Sequence, residues 1–323
     1  PVPLFNSTAK VSETRLESIS RLTWQVTSDV YVEGAVDTEY SRLKQRGIDV
    51  NTSRSFFFPK PRLDARYDAT PSFQVRGRIF REIGQLDFAN FVSSIDSEDV
   101  RIGIIQAGNP NLVPEKTWTF ESTGEYRLAE DQGSLSLRGF YNSISDAVDY
   151  VLIAPDVSGT GNIGSGHSYG AEAKLGLRLG RLGLQGASID VTGLAQESSV
   201  RDAFTGLRRP RQEFQSYEWT VSFRHDLEWN NLAYGFTVDG EDAMYESDID
   251  FVQWYQPKPE ASAFVEMRAF DLTFRVDAYE IRRLSTRDRL LYIGNRAAGN
   301  LRRQELRRET SDSVLVFSVK GTF

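Results

Sequence analysis

An all-β, antiparallel transmembrane barrel is the fold this sequence of 323 residues predicts, on three observations. Apolar and polar side chains alternate over one segment after another, which is the period of a pleated strand. No segment holds the ~20 consecutive apolar residues a spanning helix needs, and the mean hydropathy is -0.41. The alternating segments are joined by short connections at one end and long ones at the other, as in a barrel with a turn rim and a loop rim. A soluble sandwich also alternates, but rarely buries charges on one face of nearly every strand.

The strands are justified in chain order. Arg62, Asp64 and Arg66 alternate with Leu63, Ala65 and Tyr67 ahead of a short turn. Trp118, Phe120, Ser122, Gly124, Tyr126 and Leu128 alternate with Thr117, Thr119, Glu121, Thr123, Glu125 and Arg127. Tyr169, Ala171, Ala173, Leu175, Leu177 and Leu179 alternate with Gly170, Glu172, Lys174, Gly176 and Arg178. Tyr217, Trp219, Val221 and Phe223 face away from Glu218, Thr220, Ser222 and Arg224, and Leu232, Tyr234, Phe236 and Val238 from Ala233, Gly235, Thr237 and Asp239. The chain finishes on Leu315, Phe317, Val319, Gly321 and Phe323 as one face of a last strand, an aromatic ending usual for outer-membrane barrels. Each strand places one set of side chains on lipid and the other on the lumen.

Short turns are expected near 26–30, 69–72, 130–133, 180–183, 228–231 and 269–271. Longer segments are expected near 44–53, 84–114, 153–166, 200–212, 244–250 and 290–300. Trp24, Tyr67, Trp229 and Phe270 lie beside the short turns, where an aromatic girdle belongs. Pro59, Pro61, Pro257 and Pro259 fall inside strands, which predicts kinks near an aqueous rim. The count is roughly 13 strands, against the even number of single-chain bacterial barrels. Either residues 1–11 add a strand, giving about 14, or earlier strands are absent; the prolines Pro1 and Pro3 favour the second reading.

The composition narrows function. There are no cysteines, which removes disulfides, thiol catalysis and thiolate metal sites, and only two histidines. A net charge of -7 and the absence of an aromatic-interleaved basic stretch argue against a nucleic-acid partner. No Ser/His/Asp set, nucleotide loop or metal-hydrolase spacing is present, so no enzyme and no cofactor is expected.

The run Gly108-Asn109-Pro110-Asn111-Leu112-Val113-Pro114-Glu115-Lys116 resembles a motif of TonB-dependent receptors, the gated transporters of bacterial outer membranes. The strand opening Tyr169-Gly170-Ala171-Glu172, the segment from Pro61 to Tyr67 and the ending from Phe317 to Phe323 resemble the same family. The likeness runs from about Leu16 to Phe323 and covers the C-terminal part of a barrel that has 22 strands in the family. It implies a Gram-negative outer-membrane location and handling by the barrel-assembly machinery, with Phe317 and Phe323 as the C-terminal signal. It also implies an uptake role for a scarce small molecule or oligosaccharide, such as a siderophore, cobalamin or glycan. The TonB system becomes a partner only where a plug domain exists elsewhere. A self-contained passive porin-like or adhesion barrel of about 14 strands is the alternative.

Several constellations have two readings. Gly108, Asn109, Pro110, Leu112, Pro114 and Glu115 are either a ligand contact or a turn that fixes the following strand. Haem receptors of the family pair such a run with Phe-Arg-Ala-Pro and a histidine. Here Phe80-Arg81 is followed by Glu82-Ile83, and no histidine lies before Asn109, which argues against haem. His167, in a Gly/Ser-rich loop, and His225 are read as structural. Asp87, Asp96, Glu98 and Asp99 are a solvated acidic loop or a calcium site. Phe88, Phe91 and Ile95 either pack that loop or line a substrate site. Arg208, Arg209 and Arg211, and Arg302 and Arg303 with Arg307 and Arg308, suit outer-loop contacts to lipopolysaccharide phosphates or anionic substrates. For the second cluster, pairing with Glu305 and Glu309 is the competing reading. Mixed charges from Arg62 to Asp277 on the inward positions predict an ion-paired lumen wall.

Overall fold

The computed structural model describes residues 9–47, 50–95, 105–154, 157–227, 231–281 and 283–321. Strands dominate them, numbered here in chain order. The first eight are β1 (Ala9–Gln25), β2 (Val30–Gly47), β3 (Asn51–Thr70), β4 (Phe73–Ile83), β5 (Ser94–Ile95), β6 (Ile105–Gln106), β7 (Lys116–Arg127) and β8 (Gly133–Ser145). Next come β9 (Val148–Ala154), β10 (Val157–Asn162), β11 (Gly166–Arg178), β12 (Ala187–Arg201), β13 (Arg208–Arg209), β14 (Tyr217–Leu227) and β15 (Leu232–Glu241). The last are β16 (Met244–Ser247), β17 (Phe251–Pro257), β18 (Glu260–Ala269), β19 (Leu272–Ile281), β20 (Leu284–Tyr292), β21 (Leu301–Thr310) and β22 (Val314–Gly321).

The main sheet is an antiparallel meander in the order β1-β2-β3-β4-β7-β8-β11-β12-β14-β15-β18-β19-β22, with the short β13 added beside β12. Thirteen strands form that path, as the alternation predicts. Among the described residues β1 pairs only with β2 and β22 only with β19. A second sheet, β16-β17-β20-β21, prolongs the strands beyond the loop rim, and β9-β10 forms a separate hairpin there.

The two faces differ as the alternation requires. Leu63, Tyr67, Ile79, Phe120, Tyr141, Tyr169, Phe236, Val265 and Phe317 project, well exposed, from one face. In β1 that apolar face runs from Leu16 through Leu22 to Trp24, about the nine to eleven residues that cross a membrane. The strands β1, β2 and β3, with 17, 18 and 20 residues, therefore continue well past the lipid on the loop side. Trp24, Tyr67 and Phe270 sit at the turn rim, Phe270 at 92% exposure; Trp229, Phe323, Asp96, Glu98 and Asp99 lie outside the described residues, as do residues 1–8.

Some sequence expectations shift. Residues 44–47 and 51–53, expected in a long loop, belong to β2 and β3. Residues 244–247 likewise form β16 rather than loop. Pro59 and Pro61 sit inside β3 without ending it: they lie opposite Thr38 and Val36 of β2, and on the other side pairing with β4 begins only at Arg62, so a missing N–H on that side breaks no ladder bond. Pro257 ends β17 and Pro259 falls in the break before β18. His167 is a strand residue of β11, not a loop residue; its ring lies between Tyr141 and Tyr169, 6.4 Å from each.

Candidate functional site

The polar face carries a continuous chain of ion pairs. Arg21 of β1 lies 3.4 Å from Glu33 of β2, which also holds Arg62 of β3 at 2.7 Å. Arg62 pairs with Asp64 at 2.8 Å, and Arg78 of β4 spans Asp64 and Glu121 at 2.6 and 2.9 Å. Arg138 of β8 joins Glu121 to Glu172 at 3.2 and 2.9 Å, and Lys174 closes the row 2.8 Å from Glu172. The row crosses β1, β2, β3, β4, β7, β8 and β11 with signs alternating along it. A second group holds Arg224, Glu266, Arg275 and Asp277. Between its strands the Phe264 ring lies over β15 beneath Arg275, 3.9 Å away, because Gly235 has no side chain; a Cβ there would meet that ring at 2.7 Å. The inward residues expected from the alternation thus share one face.

At the loop rim the segments 84–95 and 105–115 fold onto this polar face. Phe91 and Leu112 are fully buried against Leu43 of β2, with Val11, Phe56, Leu86 and Val148 around them. Asp87 caps the single turn at Phe88–Phe91 by accepting from the Ala89 amide. The side chain of Asn109 accepts from the Asn111 amide and donates to the Thr160 carbonyl. Arg54 of β3 donates to the carbonyls of Pro110 and Leu112 at 2.7 and 2.9 Å. Asn162 bridges residue 113 in both directions, accepting from its amide and donating to its carbonyl, each at 2.9 Å. Gly108 is needed for close approach: a Cβ there would meet the Phe91 carbonyl oxygen at 2.5 Å. Pro114 leads into β7, and Glu115 accepts from the Val148 amide and pairs with Arg211 at 3.1 Å. The Gly108–Glu115 residues therefore do more than turn the chain. They seat the inward segment on β2, β3, the β9–β10 hairpin and the loop after β12.

A buried charge cluster extends this seat. Arg209 grips Asp202 at 2.6 Å and Asp149 at 2.9 Å, and Arg296 also pairs with Asp202 and donates to the Asp248 carbonyl. Gln212 donates to Asp149 and to the Ser247 carbonyl. The Asp202 side chain is 1% exposed. Burial alone would raise its pKa, but hydrogen bonds from Arg209, the Thr205 backbone and Arg296 override this and hold the carboxyl well below the usual carboxylate range. Asp248, with burial dominant, is pushed up instead. Four outer segments, around 149, 202–212, 247–250 and 296, are thereby fixed to one another.

The arginines singled out in the sequence separate. Arg209 is buried within the cluster, and Arg211, half-buried, is paired with Glu115. Arg208 is exposed and donates to Ser199. Arg302 and Arg303 are exposed on β21; Arg303 pairs with Glu305 and Arg307 with Glu309. Asp149, Asp202, Asp248 and Arg296 were not singled out. Only the Asp202-x-x-Thr205-Gly206 turn chemistry signals any of them, since Asp202 and Arg296 are 94 residues apart.

Residues 6–302 match the family described as TonB dependent receptor-like, beta-barrel. No curated protein matches the chain significantly. Among solved structures, the ferric citrate transporter FecA in its unliganded form superposes with a TM-score of 0.71 at 13% identity, over 96% of this chain and 45% of that one. The ferric-catecholate import receptor Fiu of E. coli K12 gives 0.66 at 13% identity, over 96% and 45%. The alcaligin outer-membrane receptor FauA of Bordetella pertussis gives 0.58 at 11%, over 87% and 45%. The chain spans less than half the length of these proteins, which are receptors and transporters. With its lipid-facing apolar band, polar inner face and this match over most of its length, the chain belongs to the TonB-dependent receptor β-barrel family of the Gram-negative outer membrane.

Proposed function

We propose that residues 1–323 form the wall and the outer binding loops of an energy-coupled uptake barrel, with a plug and its TonB contact supplied by protein outside this sequence. The observation that carries the reading is the loop-rim assembly. The inward-folded segments 84–95 and 105–115 and the Asp202 cluster hold several outer segments as one vestibule above an ion-paired wall. The strand directions agree. β1 and β22 run the same way in the meander, so antiparallel closure takes an odd number of further strands, and nine would give the family's 22. Among scarce nutrients, a metal chelate is favoured over cobalamin or a glycan because similar structures include ferric-siderophore receptors and a copper transporter.

The test is uptake by intact cells. Deleting the gene is expected to abolish accumulation of one radiolabelled metal chelate, with restoration that requires TonB. Uptake that persists without TonB, together with a steady open conductance in planar bilayers, would instead establish the passive barrel of about 14 strands.

A further inference from the structure

We propose that the lipid-facing outer end of β11, β12 and β13 binds a phosphorylated glycolipid of the outer leaflet, with a phosphate held between Arg201 and Arg208. The argument starts from a like-charge contact. Arg201 of β12 and Arg208 of β13 are direct cross-strand partners. Two cations opposed in a ladder are destabilising unless an anion lies between them. Both are exposed, and among the described residues neither is paired with a carboxylate. Arg201 donates to the Gly206 carbonyl at 3.0 Å and Arg208 to the Ser199 hydroxyl at 3.2 Å, which leaves most of their ten N–H donors free. Their neighbour Arg209 shows the contrast, with two buried carboxylates of its own.

The face and the depth then identify the ligand. Tyr169 opposes Glu197 and hydrogen-bonds it from the lipid-facing side. Ser199 and Arg201 follow on that same face by the strand period. The rings of Phe120, Tyr141, His167 and Tyr169 form a collar across three strands, with neighbouring centroids 6.4 to 6.5 Å apart. Aromatic rings of this kind settle at the boundary of headgroups and acyl chains. Arg201 lies four residues beyond Glu197, about 13 Å further out at ~3.4 Å per residue, which is headgroup height. Guanidinium pairs suit phosphate, and the collar beneath them suits the acyl-chain end of the same molecule. A soluble anion meets only the first of these features.

The test uses protein purified from outer membranes. It is placed in phosphatidylcholine nanodiscs with or without bis-phosphorylated lipid A, and bound lipid is counted by native mass spectrometry. The wild type is expected to retain lipid A, and the Arg201→Ala/Arg208→Ala double variant to lose binding by about tenfold or more. Arg303→Ala, an exposed arginine paired elsewhere, should bind as the wild type does. Heat-modifiable gel mobility checks that each variant is folded; should the double alanine variant fail, Arg201→Lys/Arg208→Lys keeps the charges and is expected to weaken binding without abolishing it. Equal binding by a folded double variant, equal binding of dephosphorylated lipid A, or displacement by millimolar inorganic phosphate alone would overturn the proposal.

Discussion

At Gly108 a single hydrogen atom in place of a methyl lets the inward segment seat. A Cβ there presses on the backbone carbonyl of Phe91, which has no rotamer to give way. Gly108→Ala is expected to destabilise the seat by about 1–3 kcal/mol, read as faster hydrogen exchange over residues 86–92 and 108–113. Asp202 makes the opposite point, since its side chain is indispensable. Asp202→Asn leaves Arg209 and Arg296 buried beside a neutral amide, and should cost about 3–5 kcal/mol locally. The pH dependence follows in sign. The folded pKa of Asp202 is depressed, so its contribution is complete above the unfolded carboxylate value near 4 and is lost as pH falls below it. Proteolysis of the 202–212 segment should therefore accelerate as pH drops below about 4 in the wild type, and change far less with pH in Asp202→Asn. A pH-independent wild type would refute the assignment.

At the scale of the strand, the ion-pair row makes each element answer to its two neighbours. Glu121 of β7 holds Arg78 on one side and Arg138 on the other, at 2.9 and 3.2 Å. Glu121→Gln leaves two guanidiniums facing each other across β7 and is expected to destabilise the folded barrel by about 1–2 kcal/mol, measured as a lower urea midpoint in reconstituted vesicles. Arg78→Leu combined with Glu121→Leu should cost less than Glu121→Gln alone, because it removes one of the two guanidiniums that the lost carboxylate had separated. This layer was legible in the sequence. A period of two assigns faces from Arg62 to Asp277 without knowing any partner, since each partner follows from register. The strand ends were less legible. Residues 44–53 are polar, and polarity reads as loop, yet the strands keep pairing beyond the membrane, with Leu43 and Gln45 buried beneath the inward segment. The loop seat was legible only as a turn: Asn109-Pro110 announces chain reversal, but nothing local tells Glu115 that its partner is Arg211, 96 positions on. Buried charge pairs between distant loops have no periodic signal.

For the whole molecule the decisive quantity is parity. Thirteen strands of strictly alternating direction leave the first and last pointing the same way, each with one unpaired edge among the described residues. Unpaired backbone groups facing lipid are untenable, so both edges must be met in the native membrane. The sequence has no cysteine, which makes the test clean. With Ser20→Cys and Phe317→Cys, both on the lipid face, introduced together, oxidation in native outer membranes should give no internal disulfide when further strands intervene. Ready formation of that bond would place β1 directly beside β22. The wall itself has a consequence for whatever travels past it. Because every positive group in the row from Arg21 to Lys174 has a negative one beside it, the field above the row dies away within a few ångströms. A charged traveller thus meets no deep well to fall into and no steep ridge to climb, and its rate of passage is left to whatever opens and closes the way.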